Sequence, residues 1–453
     1  MDYPFWSLPI GGGVLIGIVS IAHVLVSHFA VGGGIAMALA ETAAVRRRDP
    51  ALRALARRTS FILIYVSTVF GAISGVGIWF TIGLVNPAAT SALVRTFVWG
   101  WATEWAFFIL EVVTALAYVA TWERVRPRTH LLLIWLYAFA AVMSLVVIQG
   151  IIAFMLTPGR WLETRSFADG FFNPTYLPGL VLRLGICLFL GGAYMMFAAF
   201  RERDARARAR LVRWLAAFQI GGILIAYAGF RWWEGALPGP VHALFAGDAL
   251  LPALAATRKF LLWALAAYLA FAAFALALPR AQRWPVAAAA LLAAFAFFGG
   301  YERLREGARK PFVIRDHMFS NGILMSEIAD LDERGIFTKV VWAARRAGDD
   351  PVSRGRAVFD AQCASCHTQN GYLSIRKIMQ RTDPDIVPGI LGTMRDDGAV
   401  FAKAAAEKTP VATNELSYPF MPPFVGTEEE MEWLGRYVSS LAPAPTAEVA
   451  DGR

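Results

Sequence analysis

Eight apolar stretches, separated by charged or turn-forming residues, dominate the first two-thirds of the chain. They run at about Gly11–Ala40, Phe61–Val85, Val98–Thr121, Leu131–Leu156, Gly179–Phe200, Trp214–Trp233, Phe260–Leu278 and Pro285–Phe298. Runs of roughly this length cross the hydrocarbon core of a bilayer as helices, so the pattern predicts eight transmembrane helices. Arg231 and Glu234 crowd the end of the sixth. From Phe312 onward the pattern changes to shorter apolar groups at helical spacing. Ser353–Gln362 predicts a short helix. Thr427, followed by Glu428, Glu429 and Glu430, predicts the start of another, with its acidic first turn against the positive end of the helix dipole. Trp433, Tyr437 and Leu441 recur at i, i+4 and i+8, one stripe of a helix. No internal repeat is visible, and Ala442-Pro-Ala-Pro-Thr-Ala-Glu448 reads as a disordered tail. The expected fold is all-α: a polytopic membrane bundle over 1–311, a linker over 312–350, a small helical domain over 351–443 and a tail over 444–453.

Composition agrees with a membrane protein. The chain is 57% hydrophobic and 17% charged, with a mean hydropathy of +0.50, outside the range of soluble domains. Its net charge of +9 is distributed by topology. Six arginines lie from Arg46 to Arg58, three from Arg124 to Arg128 and six from Arg201 to Arg213, with Arg280 and Arg283 on the same side. The opposite loops hold Arg95, Arg160 and Arg165, before Arg258 at the mouth of the seventh stretch. The positive-inside rule makes the arginine-rich loops cytoplasmic, which puts both termini outside. The charge therefore carries no nucleic-acid reading. The N-terminal segment lacks the basic region of a cleavable signal peptide, so none is expected.

The most specific chemistry is Cys363-Ala-Ser-Cys366-His367. Two thiols at this spacing form thioethers to one haem, and the adjacent His ligates its iron. Zinc would need a second Cys/His pair, and the remaining Cys187 lies inside an apolar helix. A redox disulfide leaves the adjacent His without a purpose. One covalent haem c is expected, attached on the outer side of a bacterial inner membrane. Met421, in a loop stiffened by Pro419, Pro422 and Pro423, is the best sixth ligand, with Met394 and Met379 as rivals. The segment resembles a class I cytochrome c domain, in which Gly355 and Phe359 on the first helix would pack against aromatics on the last.

Ionisable residues also fall within the apolar stretches: His23 and His28 in the first, Glu104 and Glu111 in the third, and Glu306 with Arg309 just past the eighth. Such groups are costly in a bilayer unless paired or ligated. His23 and His28, five residues apart, point about 140° apart around a helix and would not share one iron. Glu104 and Glu111, seven apart, share a face. The structural alternative for each is a hydrogen bond to a neighbouring helix. His130, His242, His317 and Cys187 read as structural, and Trp161, Phe171, Phe172 and Tyr176 as interfacial anchors.

At these residues the chain resembles subunit I of the cytochrome bd oxygen reductases. The run from His23 to Glu41 is similar to that family's first helix, whose His is an axial haem ligand. Trp105-Ala-Phe-Phe-Ile-Leu-Glu111 resembles its third helix, whose two glutamates stand at the haem pair. Glu306-Gly-Ala-Arg-Lys-Pro-Phe312 is similar to the family run E-x-G-R-Q-P-W. The resemblance implies that Glu306 ligates a high-spin haem and that Arg309 faces a propionate. It implies one or two membrane haems, b or d, and a second bd-like subunit. Thr175 and Phe260 fall where the family carries the His and Met of its low-spin haem, and Gly235–Thr257 is short for its quinol loop. The chain thus looks like a quinol-site-lacking, cytochrome c-containing branch of the superfamily. Two functions follow. One is a cytochrome c-fed reductase of O2 or NO, with Glu104, Glu111 and Glu306 as its catalytic residues and a periplasmic cytochrome c or similar donor. The other is a non-catalytic electron-transfer subunit of a larger respiratory complex, which the extra His28 would suit.

Overall fold

The computed structural model describes residues 4–243, 252–411 and 415–443. The tail expected at 444–453 lies outside the described residues, as does part of the Gly235–Thr257 connection. Among the described residues, eight helices are long and apolar enough to cross a membrane: Gly12–Arg47, Pro50–Val85, Val98–Ala120, Pro127–Phe154, Tyr176–Ala199, Ala205–Gly235, Leu254–Ala277 and Trp284–Arg309. They are numbered here as spans one to eight. Several extend beyond the apolar stretch that predicts them because charged residues at their ends cap and prolong the helix. Asp49, before Pro50, accepts from the amides of Ala51 and Leu52, and Asp204 accepts from those of Arg206 and Ala207. Span six continues through Arg231 to Gly235 because its charges are paired: Glu234 meets Arg258 at 2.6 Å and Arg231 at 3.5 Å.

The chain divides into two compact units. The larger comprises Val19–Trp79 and Ala92–Arg309. Spans one and five cross at backbone contact: a methyl group on Gly32 would lie 1.6 Å from the Cys187 carbonyl oxygen, so only glycine fits. Span two is α-helical over Pro50–Leu63 and Ala72–Val85 but π-helical over Ile64–Gly71. Trp161, Phe171 and Tyr176 are not interfacial anchors but buried residues, packed with Phe97, Phe154 and Phe167. Of the four, only Phe172 is exposed. Aromatic composition alone does not separate a belt residue from a rim core.

The smaller unit comprises residues Met1–Ile18, Phe80–Ser91 and Lys310–Arg453. The segment expected as a linker, 312–350, is folded into its core. Phe312–Ile314 and Met318–Phe319 pair antiparallel, with Phe312 opposite Phe319. Both rings meet Phe401, on the helix Val387–Glu407, edge-on at 5.7 and 5.0 Å. Ile323, Met325, Ile328, Leu331 and Ile336 extend the same core. Helix Pro351–Gln362 is capped by Asp350, and helix Glu428–Ser439 by a Thr427–Glu430 capping box. Leu441 lies past the end of that last helix. The two helices touch at Gly355, where a side-chain carbon would lie 1.9 Å from the Trp433 carbonyl oxygen. Phe359 and Tyr437 pack beside this crossing, their ring centroids 5.5 Å apart.

Candidate functional site

In the smaller unit the Cys-x-x-Cys-His segment follows directly from helix Pro351–Gln362. The His367 Nδ1 lies 3.0 Å from the Leu373 carbonyl oxygen, which fixes the proton there and leaves the Nε2 lone pair unopposed. Burial holds this imidazole below the ordinary histidine value, against the opposing pull of the Leu373 bond. It is therefore neutral at pH 7, the form that ligates iron. Burial pushes the Cys363 thiol up to about 12, with Cys366 and Asp360 adding to the effect. Among the described residues there is no group of three or more His, Cys, Asp or Glu placed to hold a metal ion.

Two buried side chains pin the Met421 loop. Asp397, on helix Val387–Glu407, accepts from the amides of Ser417 at 2.9 Å and Tyr418 at 2.8 Å. Gln362, the residue before Cys363, bonds both backbone groups of Val425, at 2.6 Å and 3.0 Å. Asp332 accepts from the next amide, Gly426, at 2.9 Å. The Gln362 clamp ties the segment carrying His367 directly to the one carrying Met421. Met379 and Met394 pack with the hydrophobic core of this unit, from which Met421 is absent. His367 and Met421 would supply a nitrogen and a sulfur ligand to a haem attached at Cys363 and Cys366, which fits this arrangement.

The larger unit gathers its ionisable residues into three sets. His23, half-buried on span one, has its Nδ1 3.1 Å from the Ser74 hydroxyl, which itself donates to Phe70 O. His23 is thus the donor in this contact, and its ring also hydrogen-bonds the backbone of Gly71. Ser74 follows the π-helical turn of span two, and such turns often mark functional positions. His23 fits an iron ligand.

The second set is an ionic chain across spans one, five and eight, buried at His28 and Arg183 and partly exposed at Glu306. His28 directs Nδ1 to Val24 O at 2.7 Å, and its Nε2 accepts from Arg183 at 3.4 Å. Both nitrogens of His28 are therefore engaged, as both oxygens of Glu306 are by Arg305 and Arg309. Arg183 meets Glu302 at 2.6 Å, and Glu302 meets Arg305 at 3.1 Å. Arg305 meets Glu306 at 2.6 Å, and Glu306 also pairs with Arg309. Glu306 and Arg309 lie within the last turns of span eight rather than beyond it. The Nε–H groups of Arg183 and Arg309 are buried without an acceptor among the described residues. Buried donors are normally satisfied, and the propionate of a haem is an acceptor of the required charge. Sequence reasoning missed Arg183 and Glu302. A lone arginine amid the apolar run of span five was the available signal.

The third set is a ladder between spans three and four. Glu104 accepts from Ser144 at 2.8 Å, Glu111 lies 3.2 Å from the Tyr137 hydroxyl, and Tyr118 stacks on His130 with centroids 4.3 Å apart. The rungs recur every seven residues on each helix, in opposite directions. The last rung closes on Glu41 of span one, which takes the Tyr118 hydroxyl and His130 Nδ1, each at 2.5 Å. His130 is thus a member of a buried polar cluster at the arginine-rich end of the bundle. From Glu104 to Tyr118 the ladder covers about 21 Å of helix at 1.5 Å per residue.

Thr175 is buried and bonds Thr157 at 2.6 Å, while Phe260 is exposed. His242 is exposed at the end of a short helix, and Cys187 is fully buried.

Residues 14–232 match the family model for cytochrome bd terminal oxidase subunit I, and residues 352–442 match that for cytochrome c. Among solved structures, the fold is similar to that of the bd oxidase from Geobacillus thermodenitrificans. The TM-score is 0.58 and the identity 16%, over 67% of this chain and 88% of that one. At this identity the likeness is one of fold. A search of curated proteins returns no significant match.

Proposed function

Starting from a chain that joins a cytochrome bd subunit I domain to a cytochrome c domain, a membrane haem oxidoreductase of respiration, we propose that it is the catalytic subunit of a cytochrome c-fed oxygen reductase. Cys363, Cys366, His367 and Met421 would hold the haem that receives electrons from a periplasmic donor. His23 and Glu306 would ligate membrane haem, and Arg309 and Arg183 would offer donors to its propionates. Bound haem supplies the electron storage and the iron at which O2, or NO, is reduced. A second bd-like membrane subunit completes the complex, and the cytochrome c domain lies on the periplasmic face of a bacterial inner membrane.

The observation that carries the catalytic reading over a pure electron-transfer role is the ladder of spans three and four. Reduction of O2 to water consumes protons, whereas passing electrons onward does not. Carboxylates in a membrane are retained at a cost. Here Glu41, Glu111 and Glu104, interleaved with His130, Tyr118, Tyr137 and Ser144, form titratable or hydroxylic steps leading inward from the cytoplasmic side. Glu104 and Glu111 hold and release the protons nearest the reaction.

Direct quinol oxidation is absent from this scheme, because Thr175 and Phe260 provide no ligands for the haem that accepts quinol electrons. The test is the purified complex. His23→Ala should lower b-type haem per c haem, while Thr175→Ala should leave the spectrum unchanged. Reduced cytochrome c should drive O2 consumption and ubiquinol should not. Turnover with ubiquinol and no added cytochrome would refute the electron route, and a full b-haem complement in His23→Ala would refute that ligand.

A further inference from the structure

The stretch from Tyr372 to Arg381 follows His367 closely and presents an unusual surface. Tyr372, Leu373 and Ile378 are 55%, 48% and 41% exposed. Between them and just beyond lie Arg376, Lys377 and Arg381, all exposed and without an ion-pair partner among the described residues. No acidic residue occurs between 372 and 382. The first carboxylate after it, Asp383, caps its own short helix by accepting from the Asp385 amide at 3.0 Å. Apolar side chains interleaved with unpaired cations are a poor solvent-facing surface but a good match for lipid headgroups above acyl chains.

Its surroundings indicate what covers it. A side-chain carbon on Gly371 would lie 1.8 Å from the Pro9 carbonyl oxygen, so the two backbones are in direct contact. Gly11, at φ +95°, packs against Thr368 and the Cβ of Tyr372. The next residue, Gly12, begins span one and abuts Val85, the last residue of span two. The loop is therefore held, within one unit, beside the point where one membrane helix begins and another ends. Trp6 and Ile10, from the adjacent N-terminal segment, are also exposed, at 45% and 50%. Exposed aromatic and aliphatic groups at the mouth of a span are the usual mark of the membrane–water interface.

We propose that the 372–381 face is a membrane-surface anchor for anionic phospholipid. Tyr372, Leu373 and Ile378 enter the interfacial layer, and Arg376, Lys377 and Arg381 bind lipid phosphates. The contact immobilises the loop whose Leu373 carbonyl orients the His367 ring. This inference goes beyond the functional reading and holds whichever acceptor the membrane haems serve.

The test uses the full-length, haem-loaded protein in nanodiscs of phosphatidylcholine, with or without phosphatidylglycerol. Spin labels are placed singly by Leu373→Cys, Lys377→Cys and, as a water-exposed control, Glu407→Cys. Cys187 is fully buried and does not compete for label. The Leu373 label should be relaxed by oxygen and shielded from a water-soluble nickel chelate, unlike the Glu407 label. Phosphatidylglycerol should increase the shielding at both Leu373 and Lys377. Replacing Arg376, Lys377 and Arg381 together by Glu, with the label at Leu373, should remove the phosphatidylglycerol effect. Each lost cation should shift the docked-to-free ratio about fivefold, the equivalent of about 1 kcal/mol. Nickel accessibility at Leu373 equal to that at Glu407 in both lipids would overturn the proposal. So would shielding that arises only when an acidic redox protein is added, which would make the face a protein-docking site. Haem staining of the same samples reports separately on the cytochrome c assignment.

Discussion

Asp397→Ala should release the start of the Met421 loop and so weaken the sixth ligand of the c haem without touching the iron. In the native protein both carboxylate oxygens are used, one on the Ser417 amide at 2.9 Å and one on the Tyr418 amide at 2.8 Å. A hydrogen bond to a charged group contributes about 1.5–3 kcal/mol. Ser417 is exposed and Tyr418 half-buried, so water replaces part of what is lost. A net loss of about 2–3 kcal/mol is a reasonable total for the pair on that scale. The far end of the loop remains tied at Val425 by Gln362 and at Gly426 by Asp332. The lost energy should therefore appear as local opening rather than unfolding, raising the fraction with Met421 detached by roughly 30- to 150-fold at 1.4 kcal/mol per decade. The assay is the far-red sulfur-to-iron band of the oxidised protein, read beside the midpoint potential of the c haem. Both should fall in Asp397→Ala. Asp397→Asn, which keeps one acceptor oxygen and loses the charge, should lie between it and the native protein. An unchanged band and potential together with a lowered unfolding temperature would refute the argument, because Asp397 would then support the fold and not the ligand. Met421→Ala sets the lower limit of the band. If Met394→Ala abolishes it instead, the loop is the wrong one.

Two further outcomes follow from the sequence and structure together. Replacing both Cys363 and Cys366 by Ala should abolish covalent haem on a denaturing gel stained for peroxidase activity, and surviving stain would rule out the attachment site. A reporter active only in the periplasm should function when fused after Arg453 and fail when inserted after Arg208, and the reverse pattern would mean that the arginine-rich loops face outward.

The membrane helices were legible because hydropathy is a local property: each span states its own solvent in its own residues. The Cys-x-x-Cys-His segment was legible for a similar reason, since both thioether positions and the iron ligand lie within five consecutive residues. The segment 312–350 was not, because its helices are short and its apolar residues are spaced irregularly. Phe312 and Phe319 become core only when Phe401, far along the chain, comes to meet them. Trp161 and Tyr176 were misjudged because an aromatic side chain serves equally well at a membrane interface and in a packed rim. The Asp397 and Gln362 clamps were invisible, since a polar residue on a soluble helix gives no sign that it will close on a distant backbone.

Burial of His130 shows where the boundary lies. Taken alone, a histidine at the start of an apolar helix points no more to a site than to the surface. Yet Glu104, Glu111 and Tyr118 are separated by seven residues, as are His130, Tyr137 and Ser144. The connection between the two helices is short, running from Thr121 to Arg126. A short connection makes consecutive helices antiparallel neighbours, and side chains seven apart lie two turns along nearly the same face. Once the pairing nearest the turn is set, at Tyr118 and His130, each step of seven down one helix must meet a step of seven up the other. The second and third rungs then follow from the first. The long-range part of the site was thus written as two local periods and a turn length, and Glu41 was the one member that only tertiary structure could supply.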